Sequence, residues 1–353
     1  MKKKVAIVGI VGVPANYGGY ETMVDNMLDY TPDDVEYTVY CSKKAYKDRS
    51  KEYKGAKLKF FPFDANGPQA LLYDLFCTVH AYFHCDTMLS LGNNGVLAYP
   101  FLRLFGKRRS IYNYDGFECT RDKWSRPVRI LINALQKTAA KYSDENIADN
   151  AAIQPLLKER YGIDSHIIEY GGDGAFPVKD DAHLKEQYGL IAKDYYFNVA
   201  RIEPENNIHI ILDAFAGMPD KQLVLVGNWN KNQYGENLFA KYCTCPNIKL
   251  FQPIYEPKEI NLLRSNCLLY IHPHSVGGTN PSLVEAMYLG LNIVAYDVVY
   301  NRTTTEEKAS YFKNAEELVS LVKAGVSNNT TMKEIADRRY TWKKIADKYA
   351  ELY

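Results

Sequence analysis

The chain has 353 residues, 46% of them apolar, with 43 Lys and Arg against 42 Asp and Glu for a net charge of +1. That length buries a large core and suits two domains, while the balanced charge excludes a general affinity for nucleic acid. Seven cysteines at irregular spacings, with Cys243 and Cys245 too close for the usual zinc or redox motifs, fit reduced thiols of a cytoplasmic protein, and no run approaches the ~18 apolar residues of a spanning helix, so neither secretion nor a membrane span is expected.

Lys4 to Ile10 reads as a buried strand, followed by a loop through Gly12, Gly18 and Gly19 and a helix from about Glu21 to Leu28. The loop is longer than the dinucleotide fingerprint, which argues against a nicotinamide cofactor. Its glycines either let the backbone face a substrate or simply make a tight turn. Glu36 to Cys41 and Lys57 to Phe63 read as strands, and Gln69 to His84 as an apolar helix after the Asn66-Gly67-Pro68 turn. His80 and His84 lie one helical turn apart, but with no third ligand evident they are read as packing or surface residues.

Met88 to Leu91 is a short strand leading to the polar turn Gly92 to Gly95. Phe101 to Arg109 then mixes apolar residues with four cations. Such a patch suits an anionic bilayer surface or, equally, a solvated basic helix end. Ile111 to Glu118 is a strand running into an acidic turn at Asp115, and strand ends are where α/β folds keep working groups. A helix begins near Pro127 with Val128, Leu131, Ile132, Leu135 and Ala139 on one face, expected to be core. Asn146 to Asp149 is the next strand, and Ile167 to Tyr170 leads to Gly171-Gly172-Asp173-Gly174, the clearest break in the chain.

Beyond it, Tyr195 to Ala200 reads as a strand followed by Arg201 to Asn207 and a helix to about Phe215. Arg201 at a strand end can pair bidentately with a phosphate, or with a surface carboxylate. Leu223 to Gly227 and Ile248 to Phe251 are further strands. Cys267 to Ile271 is another, followed by His272 to Pro281 and a short helix, Leu283 to Leu289, stopped by Gly290. Gly277 and Gly278 let a backbone approach a ligand closely, Asn280 or Ser282 can cap the helix, and its first turn favours an anion. Glu285, one turn in, can accept hydrogen bonds from sugar or ribose hydroxyls. The combination suits a nucleotide or nucleotide-sugar, although an ordinary βα turn would look the same on spacing alone.

Val276 to Glu285, Gly18 to Glu21 and Arg201 to Asn207 resemble the motifs of retaining GT-B glycosyltransferases of family 4. The Val-Gly-Gly-Thr-Asn-Pro-Ser-Leu-Val-Glu-Ala run, together with Asp115, Gly116, Arg121, Lys123, Trp124 and Ser125, resembles more narrowly the bacterial rhamnosyltransferase branch that builds surface polysaccharides. Two positions depart from the family pattern: Gly277 stands where the first glutamate of a pair is usual, and Asn206 where a lysine for the donor diphosphate is usual. The closing segment, Tyr340 to Tyr349, resembles the terminal helix of GT-B chains.

The resemblance implies an α/β GT-B fold, two Rossmann-like parallel-sheet domains facing a central cleft. Residues 1–173 would form the acceptor-side domain, 174–335 the donor-binding domain, and 336–353 the helix crossing back. It implies transfer of L-rhamnose from dTDP-L-rhamnose, with retention, to a lipid-diphosphate-linked sugar at the cytoplasmic membrane face, without metal or cofactor. Gly18, Gly19, Arg201, Gly278, Thr279, Asn280, Ser282 and Glu285 would bind the donor; Asp115 and Arg201 would serve catalysis; Glu21, Glu118, Arg121 and Lys123 would lie on the acceptor or sugar side. Gln252 to Tyr255 would receive the base. A nucleotide-sugar epimerase of similar build and a non-catalytic nucleotide-binding subunit are the alternatives.

Overall fold

The computed structural model describes residues 2–16, 18–116 and 125–353. The chain divides into two compact units, one comprising Met1–Tyr170 and Trp342–Tyr353, the other Gly171–Thr341. The glycine break read from the sequence ends three residues later, at Asp173, and the return to the first unit comes at Trp342 rather than residue 336. The physical reason lies in the second unit: the Gly172 N–H donates to the Tyr340 carbonyl at 2.8 Å, and Tyr340 is fully buried, so both ends of the link belong to that unit's packing.

In the first unit the described elements are β1 (Lys3–Val8), α1 (Gly19–Met27), β2 (Val35–Ser42), β3 (Glu52–Tyr53), β4 (Ala56–Phe61), α2 (Ala70–His84), β5 (Thr87–Ser90), α3 (Tyr99–Leu102), β6 (Arg109–Tyr114), α4 (Arg126–Tyr142), β7 (Glu145–Ala148), α5 (Ile153–Tyr161) and β8 (His166–Ile167). The strands lie in the order β3-β4-β2-β1-β5-β6-β7-β8, parallel except for the short β3. Val5 to Val8 are buried on both faces, as a central strand between helical layers requires.

The second unit contributes α6 (Asp181–Tyr188), β9 (Tyr195–Val199), α7 (Ile208–Ala216), β10 (Gln222–Val226), α8 (Gln233–Tyr242), β11 (Ile248–Phe251), α9 (Pro257–Ser265), β12 (Leu269–His272), α10 (Pro281–Tyr288), β13 (Ile293–Tyr296), α11 (Val299–Thr304), β14 (Ser310–Phe312), α12 (Ala315–Ala324) and α13 (Asn329–Arg339). Its parallel sheet runs β11-β10-β9-β12-β13-β14. Phe197, Leu223, Leu225, Ile271 and Val294 fill the sheet interior, and the Asn247 amide ties three carbonyls at the end of α7 and the turn after it, Phe215, Met218 and Lys221, at 2.9, 3.0 and 3.0 Å. Finally α14 (Trp342–Ala350) joins the first unit, with Trp342 edge-on to Tyr170 and the Tyr349 hydroxyl accepting from the Asn113 amide.

One expectation fails. The apolar stripe of α4 is core only in its second half: Leu135 and Ala139 are buried, but Leu131 is 53% exposed and its neighbour Ile130 is 71% exposed. Periodicity identifies an apolar face without saying what covers it.

Candidate functional site

In each unit the first strand lies where the strand order reverses, β1 between β2 and β5, and β9 between β10 and β12. Open parallel sheets bind ligands outside the carboxyl ends of such strands. In the second unit the loops leaving β9 and β12 are fastened together there. The Asn207 amide donates to the Pro273 carbonyl at 3.0 Å, and the Ser275 N–H and hydroxyl both donate to the Glu205 carbonyl, at 3.2 and 2.8 Å. Within the first loop the Asn206 amide donates to the Arg201 carbonyl at 2.7 Å. Asn206 is 1% exposed, so at the position where the family resemblance leads one to expect a lysine this chain has a buried brace. The Arg201 side chain is exposed and makes no ion pair among the described residues.

The second loop turns at Gly277, whose φ of +109° favours glycine, so a glutamate there would strain the backbone. Gly278 and Thr279 are buried. Asn280 takes the N-cap position of α10 with no side-chain capping bond, and Pro281 starts the helix. The expected side-chain cap is therefore not made, and the Asn280 carbonyl takes only the ordinary first helical bonds, from Leu283 and Val284 at 3.1 and 3.2 Å.

Glu285 is not left to solvent. Arg264 of α9 donates from one guanidinium nitrogen to the Glu285 carboxylate at 2.8 Å and from another to Asn261 at 3.2 Å. With side-chain exposures of 7% for Arg264 and 23% for Glu285, the pair fixes the carboxylate while keeping an edge accessible. Sequence reasoning missed Arg264, because nothing local in α9 marks it. It read Gly172 as part of a break but not its contact: a Cβ there would come within 2.4 Å of the Val284 carbonyl oxygen, so only glycine lets the link run against α10. Next to this loop, His272 is fully buried, its ring stacked on His274 at 4.4 Å, and burial holds it well below the usual imidazole range and so neutral. The His-x-His spacing at a strand end was the signal available for this pair.

In the first unit, β1 and β5 end in touching backbone. A Cβ on Gly9 would lie 2.3 Å from the Gly92 nitrogen, and Gly9 has a φ of +86°. Gly18 and Gly19 lead into α1, and Glu21 is turned back into the loop, accepting from the Val11 N–H at 2.8 Å. Burial pushes the Glu21 carboxyl up, against the Val11 bond, which lowers it. Asp115 follows β6, half-buried, and its turn is held by Gln136 of α4, whose amide donates to the Gly116 carbonyl at 3.1 Å. The Tyr20 hydroxyl donates to Asn113 of β6 at 3.3 Å; burial, with Asp115 and Asp149 nearby, keeps it well above the usual phenol range. Thus Gly18, Gly19, Glu21 and Asp115 belong to one sheet end, and Arg201, Gly278, Thr279, Asn280, Ser282 and Glu285 to the other unit's. Glu118, Arg121 and Lys123 lie outside the described residues. His80 and His84 stack at 3.9 Å, with His80 Nδ1 bonded to the Tyr40 hydroxyl at 2.8 Å and His84 Nδ1 to the His80 carbonyl at 2.7 Å.

Residues 2–173 match the family described as Domain of unknown function (DUF1972), and residues 182–342 match Glycosyl transferases group 1. Among curated proteins none matches by sequence. Among solved structures, sucrose-phosphate synthase from Thermosynechococcus elongatus is similar at a TM-score of 0.83 and 16% identity, covering 100% of this chain and 98% of that one. HepE from Anabaena in complex with UDP-glucose is similar at 0.78 and 16%, covering 99% of each chain. The catalytic domain of Starch Synthase IV from Arabidopsis thaliana, bound to ADP and acarbose, is similar at 0.74 and 13%, covering 100% and 98%. At these identities the likeness establishes the fold, two parallel-sheet α/β domains as in GT-B glycosyltransferases. The chain therefore has the GT-B fold, and its residues 182–342 are similar to the glycosyl transferases group 1 family.

Proposed function

We propose that the protein is a retaining glycosyltransferase that moves L-rhamnose from dTDP-L-rhamnose to a lipid-diphosphate-linked sugar at the cytoplasmic face of a membrane, in the synthesis of bacterial surface polysaccharide. The observation that carries the donor half is the pair of fastened loops at the end of β9 and β12, which sets the exposed Arg201 and the start of α10 beside a carboxylate fixed by Arg264. A nucleoside diphosphate needs that combination: cationic and backbone donors for phosphate, and an anchored acceptor for a sugar hydroxyl.

As the bond from the anomeric carbon to the diphosphate breaks, the electron pair leaves with the diphosphate. Arg201 and the backbone of Gly278, Thr279, Asn280 and Ser282 meet the charge that develops there. On this reading they do so without a metal or cofactor. Asp115 orients a hydroxyl of donor or acceptor, or takes its proton. The acceptor side is assigned to the first unit, through Gly18, Gly19 and Glu21.

The rhamnosyl donor and lipid acceptor draw their support from the sequence resemblance of Val276 to Glu285 and of Asp115 to Ser125. The test incubates the full chain with dTDP-L-rhamnose, UDP-glucose and other nucleotide-sugars, each with and without lipid-linked sugars extracted from membranes, and follows the products by mass. Gain of one deoxyhexose on the lipid, from the dTDP donor alone, is expected. Conversion of donor without acceptor would make the protein an epimerase, and binding without turnover would make it a binding subunit.

A further inference from the structure

The first unit carries an apolar surface that no described element covers. The inner face of α2 is buried through Tyr73, Cys77, Thr78, Ala81 and Tyr82, but Leu72, Phe76, Val79 and Phe83, spaced as one helical face, are all exposed. Ring contacts extend this stripe at both ends. Phe76 stacks on Phe63 at 5.2 Å, and Phe83 meets Phe105 at 5.9 Å, which in turn meets Phe101 at 5.1 Å. Phe101 and Leu104 are 60% and 78% exposed. Single exposed leucines need no explanation, but a continuous aromatic and aliphatic ridge does.

The charge around the ridge is predominantly basic. Asp74, the one acid of α2, points inward and accepts from the Asn94 amide at 2.9 Å. Residues 87–114 contain no Asp or Glu and four cations, Arg103, Lys107, Arg108 and Arg109. Residues 125–143, spanning α4 with its exposed Ile130 and Leu131, likewise contain no acid and four cations, Arg126, Arg129, Lys137 and Lys141. Arg103 and Arg109 are engaged with Asp144 and Glu145, whereas Lys107 and Arg108 touch acids only at 3.8 and 3.7 Å from solvent-exposed positions. Solvated contacts of that kind hold little free energy and leave both cations available.

We propose that this ridge, the outer face of α2 with Phe101, Leu104 and Phe105, seats the first unit in the interfacial layer of an anionic bilayer. Rings and leucines enter the boundary between headgroups and acyl chains, and Lys107 and Arg108 meet lipid phosphates. No helix of the described residues is long and apolar enough to cross a membrane, so the contact is superficial. A predominantly basic rim around protruding aromatics, whose acids Asp86, Asp144 and Glu145 already lie against its own cations, matches lipid better than a second copy of the chain, which would bring the same cations against themselves. The purpose of the contact rests on the reading of the acceptor as lipid-borne; the contact itself does not.

Flotation of the full chain with phosphatidylglycerol-containing vesicles, against pure phosphatidylcholine vesicles, tests it. The wild type should float with the anionic vesicles, and Phe101→Ser/Leu104→Ser/Phe105→Ser should lower partitioning at least tenfold with an unchanged melting temperature, because all three positions are exposed. Lys107→Glu/Arg108→Glu should remove the preference for anionic lipid, about fivefold for each cation. Equal flotation of wild type and ridge variant, no flotation at low salt, or a wild-type dimer dissolved by the ridge substitutions would each overturn the proposal. Transfer to detergent-dispersed lipid acceptor without vesicle binding would sink the surface and spare the functional reading. Vesicle binding without transfer would do the reverse.

Discussion

Both units place a loop at the carboxyl end of their first strand, where the strand order reverses, yet they brace it by opposite means. In the first unit the brace is an acid: Glu21 reaches back to the Val11 N–H, buried, with no ion pair among the described residues. In the second the braces are neutral, Asn206, Asn207 and Ser275, and the acid Glu285 is tethered to the guanidinium of Arg264. A buried carboxylate with no ion pair among the described residues, as Glu21 is in the first loop, disfavours an anion beside it. The second loop also carries acids, but Glu203 is paired with Lys231 at 3.1 Å, and this loop, with Arg201 exposed on it, is the one to which we assign the diphosphate.

The largest effect that sharpens this contrast is on stability. Arg264→Met leaves Glu285 without its cation in a mostly buried setting and should cost about 3 kcal/mol. Glu21→Gln keeps an acceptor for Val11 and sheds a buried charge, so it should change stability by less than about 1 kcal/mol. Denaturant unfolding of the two variants measures both, and equal losses would remove the distinction between the two kinds of brace.

Next in size is turnover. Asp115→Asn should preserve the fold and donor affinity while lowering kcat roughly a hundredfold, the scale of a positioned acid-base group. Near-normal turnover would make Asp115 only a residue of the turn whose Gly116 carbonyl accepts from Gln136.

What could be read beforehand divides along the same physical line. The loop-bearing strands were legible, because a central parallel strand is an unbroken apolar run, as in Val5 to Val8 or Leu269 to Ile271. The glycine turn at Gly277 and the start of α10 were legible because glycine and a helix start are local signals. The Arg264–Glu285 pair was not, since it joins two helices, α9 and α10, and Arg264 alone looks like any surface charge. The exposure of Leu131 was missed for a related reason: spacing defines a face but not its neighbour. Nor does the sequence show that Gly277 sits at a φ of +109°, which turns a departure from the family pattern into a backbone requirement.

The first unit's unpaired acids also predict a pH effect. Burial pushes the Asp74 carboxyl up to about 7, against its bond from Asn94, which lowers it. A carboxyl that binds its proton more tightly when folded contributes fully below its unfolded value of about 3.9, and that contribution is lost as pH rises through about 7. Between pH 5 and pH 8 the wild type should therefore lose on the order of 2 kcal/mol that Asp74→Asn does not lose. Thermal melts across that range compare the two; parallel profiles would mean that Asp74 is ionised throughout.

In the second unit, Arg201→Ala should weaken nucleoside diphosphate binding by about 2 kcal/mol, since the diphosphate loses a charge-assisted partner. Calorimetry reads this directly, and unchanged affinity would assign the diphosphate entirely to the α10 backbone.

The smallest expected effect is the most discriminating. With glycine at position 277, Glu285 is the carboxylate left to hold the ribose, and Arg264 already occupies one of its oxygens at 2.8 Å. Glu285→Gln turns a charge-assisted bond to a ribose hydroxyl into a neutral one, worth about 1 kcal/mol, or roughly fivefold in affinity. Thymidine has no 2′-hydroxyl, so for a dTDP donor that bond can only involve the 3′-hydroxyl, and dTDP should bind the wild type at least as well as UDP. The substitution also strands the Arg264 charge and lowers the melting temperature, so the competition between dTDP and UDP is titrated well below the transition. A 3′-deoxy analogue of dTDP separates the two consequences: it should bind both proteins alike if Glu285 reads the hydroxyl, because the variant has nothing further to lose. A strong wild-type preference for UDP would count against the rhamnosyl donor, and a variant with unaltered affinity would leave Glu285 as the partner of Arg264 alone.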